Sequence, residues 1–204
     1  MAQAAEQFGW IKLDGSFTLE EHPFSFVSSA ERSDRIEFGI KALGDFSGAI
    51  GDVPVGTRAY LDGPHGAFSI DRYAAPGYVF IAGGVGITPF LSMLRTLADR
   101  RDPRPVLLIY ADQTWDAVAY RDEIERIADE IDLTVAYVLE EPPEGWDGET
   151  GFVTPELLER CIPDEQFPRE YMICGPPVMM DLVHQALVER GVAPGRIQLE
   201  KFVL

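Results

Sequence analysis

Lysine is nearly missing from this chain. Lys12, Lys41 and Lys201 are the only three, and arginine supplies the rest of the 17 basic side chains. Against them stand 34 carboxylates, for a net charge of −17. That balance argues against nucleic acid, whose phosphates need a basic face, and against docking on anionic lipid. A basic protein partner remains compatible with it. Cysteine is scarce too. Cys161 and Cys174 are too few for a disulfide framework, a metal site or an iron–sulfur cluster, and they fit a reducing compartment. No run of about twenty apolar residues is present, so nothing is expected to span a bilayer. Residues 1–6 have neither a basic n-region nor an apolar h-region, so no signal peptide is expected. The expected location is cytoplasmic, including the cytoplasmic face of a membrane protein. No repeat or low-complexity tract interrupts the chain.

What is present is an ordinary globular composition, 46 % apolar and 25 % charged, in 204 residues. That length suffices for one large domain or two small ones. Residues 1–75 read as all-β. Short, partly alternating stretches at 10–13, 22–28, 35–42 and 58–61 are separated by turn signals at Asp14-Gly15, Ser33-Asp34, Gly44-Asp45, Val55-Gly56 and Gly63-Pro64. The spacing predicts a small sheet or barrel with a thin core. A closed barrel would want another strand or two, so this domain is expected to be incomplete at its N-terminus. Residues 76–204 alternate instead. Strands are predicted at 78–82, 105–111, 132–139, 170–174 and about 196–200, and helices at 89–100, 116–130, 154–160 and 177–190. Such alternation predicts a doubly wound parallel sheet with helices on both faces. A loop rich in Pro, Gly and Glu at 140–151 reads as a solvated connection.

The most informative stretch is YVFIAGGVGITPFLSMLRTLA, from Tyr78 to Ala98. A short apolar strand runs into Gly83, Gly84 and Gly86. Thr88 then reads as a helix N-cap and Pro89 as the first helical residue. Glycines without Cβ at a helix N-terminus let a phosphate approach unpaired N–H groups. A plain tight turn explains the same residues equally well, because Gly84-x-Gly86-x-x-Pro89 is not a full dinucleotide fingerprint. The fourth predicted strand ends in Cys174-Gly175-Pro176-Pro177, just before a helix. In doubly wound sheets ligands lie beyond the strand ends where the winding reverses. Neighbouring first and fourth strands would therefore bring the glycine turn and Cys174 to one crevice. A lone cysteine is more often a small buried residue.

Six segments taken together resemble the ferredoxin–NADP reductase superfamily, and within it the ferric reductase and NADPH oxidase branch. They are His22-Pro23-Phe24-Ser25, the stretch from Ile40 and Lys41 through Gly44, Phe46 and Ser47, Gly63-Pro64-His65-Gly66, Gly83 to Pro89, Cys174 to Pro177, and Glu200-Lys201-Phe202. The resemblance implies a flavin-binding β-barrel over residues 1–75 and a nicotinamide-dinucleotide domain over 76–204. It implies that Phe24 packs against the flavin ring and that Ser25 bonds near the flavin N5. It places His22 near the flavin diphosphate, backbone around Ile40 and Lys41 along the flavin, and Gly44 to Ser47 around its diphosphate. Gly84, Gly86 and Thr88 would bind the nicotinamide cofactor, with Cys174 and Glu200 beside its ring. Phe202 would cover the flavin's other face. Ser25, Cys174 and Glu200 are thus the expected catalytic residues. The family's barrel begins earlier than Met1, and Val203 and Leu204 extend past Phe202.

The implied activity is FAD-dependent oxidation of NADH or NADPH, with electrons passed to a one-electron acceptor: haem in a membrane partner, or Fe(III). A regulatory or truncated subunit that binds flavin poorly is the competing reading. Others are a detached piece of a longer membrane reductase and a reductase feeding a separate ferredoxin. Asp112, just after the second strand of the α/β part, leans the cofactor choice toward NADH, because a carboxylate there accepts from a ribose hydroxyl and repels a 2′-phosphate. Asp112 could instead cap the turn into the next helix, and Arg121 could reach a phosphate.

Overall fold

The computed structural model describes residues 8–13, 22–32, 34–162 and 169–202. Three strands, β1 (Phe8–Leu13), β2 (His22–Ser25) and β3 (Ala59–His65), form an antiparallel sheet in the order β2-β1-β3, and a short helix, α1 (Asp45–Ala49), precedes β3. The stretch 35–42, expected as a strand, is an extended segment. It joins its neighbour through one bridge, Phe26 to Phe38, and the bond from Val27 N to Glu37 O. Five helical residues were likewise not anticipated in a half read as all-β. Five residues with one large apolar side chain, Phe46, carry no periodic apolar signal, and none of the five is buried. The expected turn at Asp14-Gly15, and Ser33 of the turn at Ser33-Asp34, lie outside the described residues.

The second half follows the predicted rhythm: β4 (Tyr78–Gly83), α2 (Ile87–Arg100), β5 (Val106–Asp112), α3 (Arg121–Ala128), β6 (Leu133–Leu139), β7 (Glu149–Thr150), α4 (Pro155–Cys161), β8 (Glu170–Cys174), α5 (Pro177–Glu189) and β9 (Ile197–Glu200). The six strands form one parallel sheet ordered β7-β6-β5-β4-β8-β9. From β4 the chain winds outward through β5 and β6, then returns to pair β8 on the other side of β4. The winding reverses between β4 and β8, with Ala82 opposite Cys174. Strand alternation explains the two layers. Tyr78, Phe80 and Ala82 face a cluster holding Phe90 and Leu91 of α2 and Ile124 of α3, while Val79 and Ile81 face Leu157 of α4 and Val183 of α5. Every residue of β4 is buried. At about 1.5–3 kcal/mol per fully buried large apolar side chain, this central strand is a main source of stability.

The two halves share a core. Val27, Phe68 and Ile70 belong to the same cluster as Phe80 and Phe90, and Phe68 meets Phe90 edge to face at 5.7 Å between ring centres. Two helix boundaries differ from expectation. Helix α2 begins at Ile87, with Gly86 as its N-cap, so Thr88 is inside the helix and its hydroxyl donates to Val85 O at 2.9 Å. The single helix expected at 116–130 is a 3-10 turn at Trp115–Ala117 followed by α3, because Tyr120 adopts a left-handed conformation with φ 61°. The connection at 140–151 contributes the two-residue β7 to the sheet edge.

Candidate functional site

Three adjoining cavities open along the sheet's carboxyl edge, and Lys41 lines all of them. The first, about 330 Å³, lies between the halves. Phe24, Ser25 and Trp10 come from the β-sheet, Val85 and Thr88 from the glycine turn and α2, and Glu200 and Phe202 from the end of β9. Ser25 is 6 % exposed, and its position in β2 beside β1 fixes the strand that carries it. The second, about 220 Å³, is bounded by Ile40, Gly84, Thr88, Tyr110, Asp112 and Tyr120. A third, about 640 Å³, runs outward over the ends of β4 and β5, past Gly83, Gly84, Asp112, Glu140, Phe152, Pro176 and Met179.

Close packing at the switch point explains the glycines. A Cβ on Gly86 would overlap the carbonyl of Cys174, and one on Gly83 would stand 2.7 Å from Pro176 Cδ. These two residues let β4 and its turn lie against the end of β8. Gly84 differs. It has φ 53°, which a side chain rarely adopts, and beyond it is open space as far as Lys41 Nζ, 3.9 Å from an added Cβ. Positive φ, open backbone and an ammonium nearby make a cradle that fits an anionic group such as a dinucleotide diphosphate. The aromatic lining of the 330 Å³ cavity fits a planar ring.

The sequence-derived residues divide on their placement. Pro23, Phe24, Ser25, Lys41, Thr88, Glu200 and Phe202 line one cavity. Ile40, Gly83, Gly84, Asp112 and Pro176 line the other two. His22 and Phe46 stack on each other, 4.0 Å between ring centres and 22° between planes, with Phe24 stacked 6.0 Å from Phe46. Ser47 turns inward: its hydroxyl accepts from the backbone N–H groups of Leu43 and Gly44, at 3.0 and 2.9 Å, and so closes the start of α1. Gly44 lies in the same turn, exposed. Gly86 and Pro89 are buried. A Cβ on Gly175 would lie 2.9 Å from Gly83 N, a second close approach. Cys174 is 0 % exposed and belongs to the apolar cluster against which Phe202 packs, so its thiol does not line the three cavities. Sequence reading missed Gly39, Tyr110, Tyr120, Phe152 and Met179. Gly39 (next to Ile40), Tyr110 (two residues before Asp112) and Met179 (two residues past Pro177) adjoined segments already singled out.

The electrostatics bear on the cofactor. Asp112 closes β5 with one carboxylate oxygen accepting from Gln113 N at 2.8 Å, and Gln113 Nε2 donates to Glu141 at 3.1 Å. Arg121 is turned away: it donates to Trp115 O at 3.0 Å and lies 4.9 Å over the Trp115 ring. Among the described residues, the outer cavity's rim therefore carries Asp112 and Glu140 with Lys41 as its one basic residue. Burial raises the pKa of the Glu200 carboxyl above its ordinary range. A carboxyl whose folded pKa is raised adds stability below its unfolded pKa, and that contribution is lost as pH rises through the folded value. Glu200→Gln should therefore raise the melting temperature more at pH 8 than at pH 4. Equal shifts at both would show that the carboxylate bears no burial penalty.

An antiparallel β unit packed on a doubly wound sheet, with its cavities at the switch point, defines the two-part architecture of flavin and nicotinamide reductases. Residues 80–185 match the model of the oxidoreductase NAD-binding domain, and the chain belongs to the ferredoxin–NADP reductase superfamily. Among curated relatives, the NADH-cytochrome b5 reductase 1 of Emericella nidulans is 32 % identical over 194 residues, covering 88 % of this chain and 63 % of that protein. The chain spans 56 to 63 % of the length of the curated relatives quoted first. Among solved structures, the Amycolatopsis cytochrome P450 reductase matches with TM-score 0.83 and 25 % identity over 99 % of this chain and 62 % of that one. The ferredoxin NADP+ reductase from Neisseria gonorrhoeae, solved with bound FAD and NADP, matches with TM-score 0.79 and 25 % identity over 95 % and 85 %. No helix among the described residues is long and apolar enough to cross a membrane.

Proposed function

We propose that this chain is the dehydrogenase module of an FAD-dependent NAD(P)H oxidoreductase that prefers NADH and delivers electrons to a haem protein. The observation that carries this reading is the meeting of three cavities at Lys41, one lined by aromatic side chains that suit a planar ring and two sharing the open backbone of Gly84 that suits a diphosphate. When bound, the two cofactors supply hydride transfer and single-electron release; the protein supplies position and charge. Residues 1–75 would hold the flavin and 76–204 the nicotinamide dinucleotide. Phe24 offers a flat apolar wall, and Ser25 a hydroxyl at the cavity floor. Lys41 offers its ammonium to a diphosphate lying on Gly84. Glu200, its charge disfavoured by burial, borders the ring cavity. Phe202 closes the same cavity from the far side and would have to move for a second ring to enter. Cys174, buried, would shape the packing beneath the nicotinamide, reaching its ring only after Phe202 withdraws.

A haem protein is favoured as acceptor because curated relatives are NADH-cytochrome b5 reductases. Haem of a membrane-bound ferric reductase and Fe(III) itself belong to the same one-electron class. That acceptor and the scarcity of cysteine support a cytoplasmic setting. An absorption spectrum of the chain with FAD tests the proposal. A retained flavin band should bleach with anaerobic NADH, and at least about tenfold more slowly with NADPH at equal concentration, the size of effect one adverse contact produces. A chain that retains no flavin, or a retained flavin that neither nucleotide bleaches, would overturn it.

A further inference from the structure

We propose that Arg95 is a positioning residue: its guanidinium fixes the separation between the segment bearing the proposed flavin contacts and the helix bearing the glycine turn. The consequence for catalysis rests on the reductase reading above; the mechanical role does not.

Arg95 lies two turns into α2, with a side chain only 20 % exposed. Its Nε and Nη2 donate to the two carboxylate oxygens of Glu123 on α3, at 2.7 and 2.9 Å. Its Nη1 donates to Glu37 Oε2 and to Val27 O, both at 2.7 Å. One planar group thus ties three chain segments together. Val27 follows Ser25 by two residues, and Glu37 precedes Gly39 by two and Lys41 by four. Glu123 follows Tyr120 by three, and Tyr120 lines the same cavity as Lys41 and Gly84. Only a guanidinium, with donors in a fixed fork, can hold a carboxylate bidentately and still reach a second carboxylate and a carbonyl.

The spacing it holds is tight. A Cβ on Gly39 would overlap the Thr88 methyl group and stand 3.1 Å from the Tyr120 hydroxyl. Segment 37–41 is therefore pressed against the start of α2 with no slack. Neighbouring bonds run along the same helix face. Ser92 Oγ donates to Ser28 O at 2.8 Å, and Ala30 N donates to Thr96 Oγ1 at 3.0 Å. These anchor residues 28–30. Segment 37–41 is held by Arg95, by the bond from Val27 N to Glu37 O, by the Phe26–Phe38 bridge and by Glu37 N donating to Ser28 Oγ at 3.4 Å, and Arg35 pairs with Glu37 Oε1 at 2.7 Å. An ångström of drift between donor and acceptor rings is enough to cost orders of magnitude in rate.

Two variants of the full chain test this, Arg95→Met and Glu37→Gln, with Arg95→Lys as the conservative control. The first readout is amide hydrogen exchange without flavin. Residues 37–41 and 84–88 should exchange at least about tenfold faster in Arg95→Met, corresponding to the loss of a charge-assisted bond. Glu37→Gln should accelerate 37–41 alone, and Arg95→Lys should fall between wild type and Arg95→Met. Unchanged exchange at 37–41 in Glu37→Gln overturns the proposal even if Arg95→Met fails to fold. The second readout is flavin bleaching by NADH. For Arg95→Met, the limiting rate per bound flavin should drop about tenfold or more, with half-saturating NADH shifted less than twofold. A drop that merely tracks lost flavin or lost fold would make Arg95 structural and overturn positioning. A wild-type flavin that NADH cannot bleach would sink the reductase reading, and exchange would then decide the clamp alone.

Discussion

Replacing Gly86 with alanine should lower the melting temperature by about 5–10 °C and abolish NADH-dependent bleaching, a loss of about a hundredfold or more. Gly86 has an ordinary helical φ of −62°, so the demand is for space, not for a special conformation. The three atoms nearest the new methyl are all backbone: the Cys174 carbonyl carbon and oxygen, and Gly175 N at 2.8 Å. No rotamer change can relieve that overlap. Either β8 moves off β4 where Ala82 pairs Cys174, or the turn lifts from the sheet. Overpacking of this kind costs about 1–3 kcal/mol, and in a chain of this size each kcal/mol is worth about 2–4 °C. Two controls isolate the cause. Gly44→Ala meets nothing within 4 Å and should be neutral in stability. Gly84→Ala meets only a lysine tip but must accept φ 53°, a strain of about 1–2 kcal/mol without a clash. Equal losses in Gly86→Ala and Gly84→Ala would show that the close approach to β8 is not what matters.

Asp112→Arg should raise the ratio of NADPH to NADH efficiency by about ten- to a hundredfold. Asp112 and Glu140 line the outer cavity, and the nearby Arg121 is held over Trp115. A 2′-phosphate placed there meets negative charge. Two unit charges 4 Å apart at a partly exposed site interact by at most about 4 kcal/mol, and solvent and salt reduce that. Even a third of it is about tenfold in a binding constant. Arginine converts the repulsion into attraction, so the change counts twice. It also removes the bond to Gln113 N, at a cost of about 1 kcal/mol of stability. Asp112→Asn keeps an acceptor there and deletes only the charge, so it should move the ratio in the same direction by less. Steady-state kcat/KM for both nucleotides decides it, and a ratio unmoved in both variants would locate nucleotide choice elsewhere.

Legibility in the sequence followed the range of the forces involved. The unit from β4 through α2 was readable because its signals are local: five apolar residues, then glycines, then apolar residues at helical spacing. The alternation through β9 was readable for the same reason and implied a doubly wound order, whereas the pairing of β4 with β8 was only a condition there and is given by the sheet order. Boundaries slipped where tertiary contacts outvoted local chemistry. Thr88 has the side chain of an N-cap, yet the helix starts two residues earlier because Gly86 must pack under Cys174. The helix expected from 116 broke at Tyr120, whose backbone conformation no residue preference announces.

By itself the sequence determined the strand–helix alternation of the second half, its doubly wound topology and which glycines needed explanation, since these depend on periodicity and on missing Cβ atoms. It also argued against a disulfide framework and against nucleic acid as a partner, which follow from counting. Only the tertiary structure decided which residues meet. Lys41 reaches Gly84 from the other half of the chain, Cys174 is sealed under Phe202's cluster, and Ser47 is spent closing its own turn. Arg95 joins Val27, Glu37 and Glu123 across separations that no spacing rule relates. A side chain's type and neighbours in sequence fix what it can bond; where packing aims it fixes what it does bond.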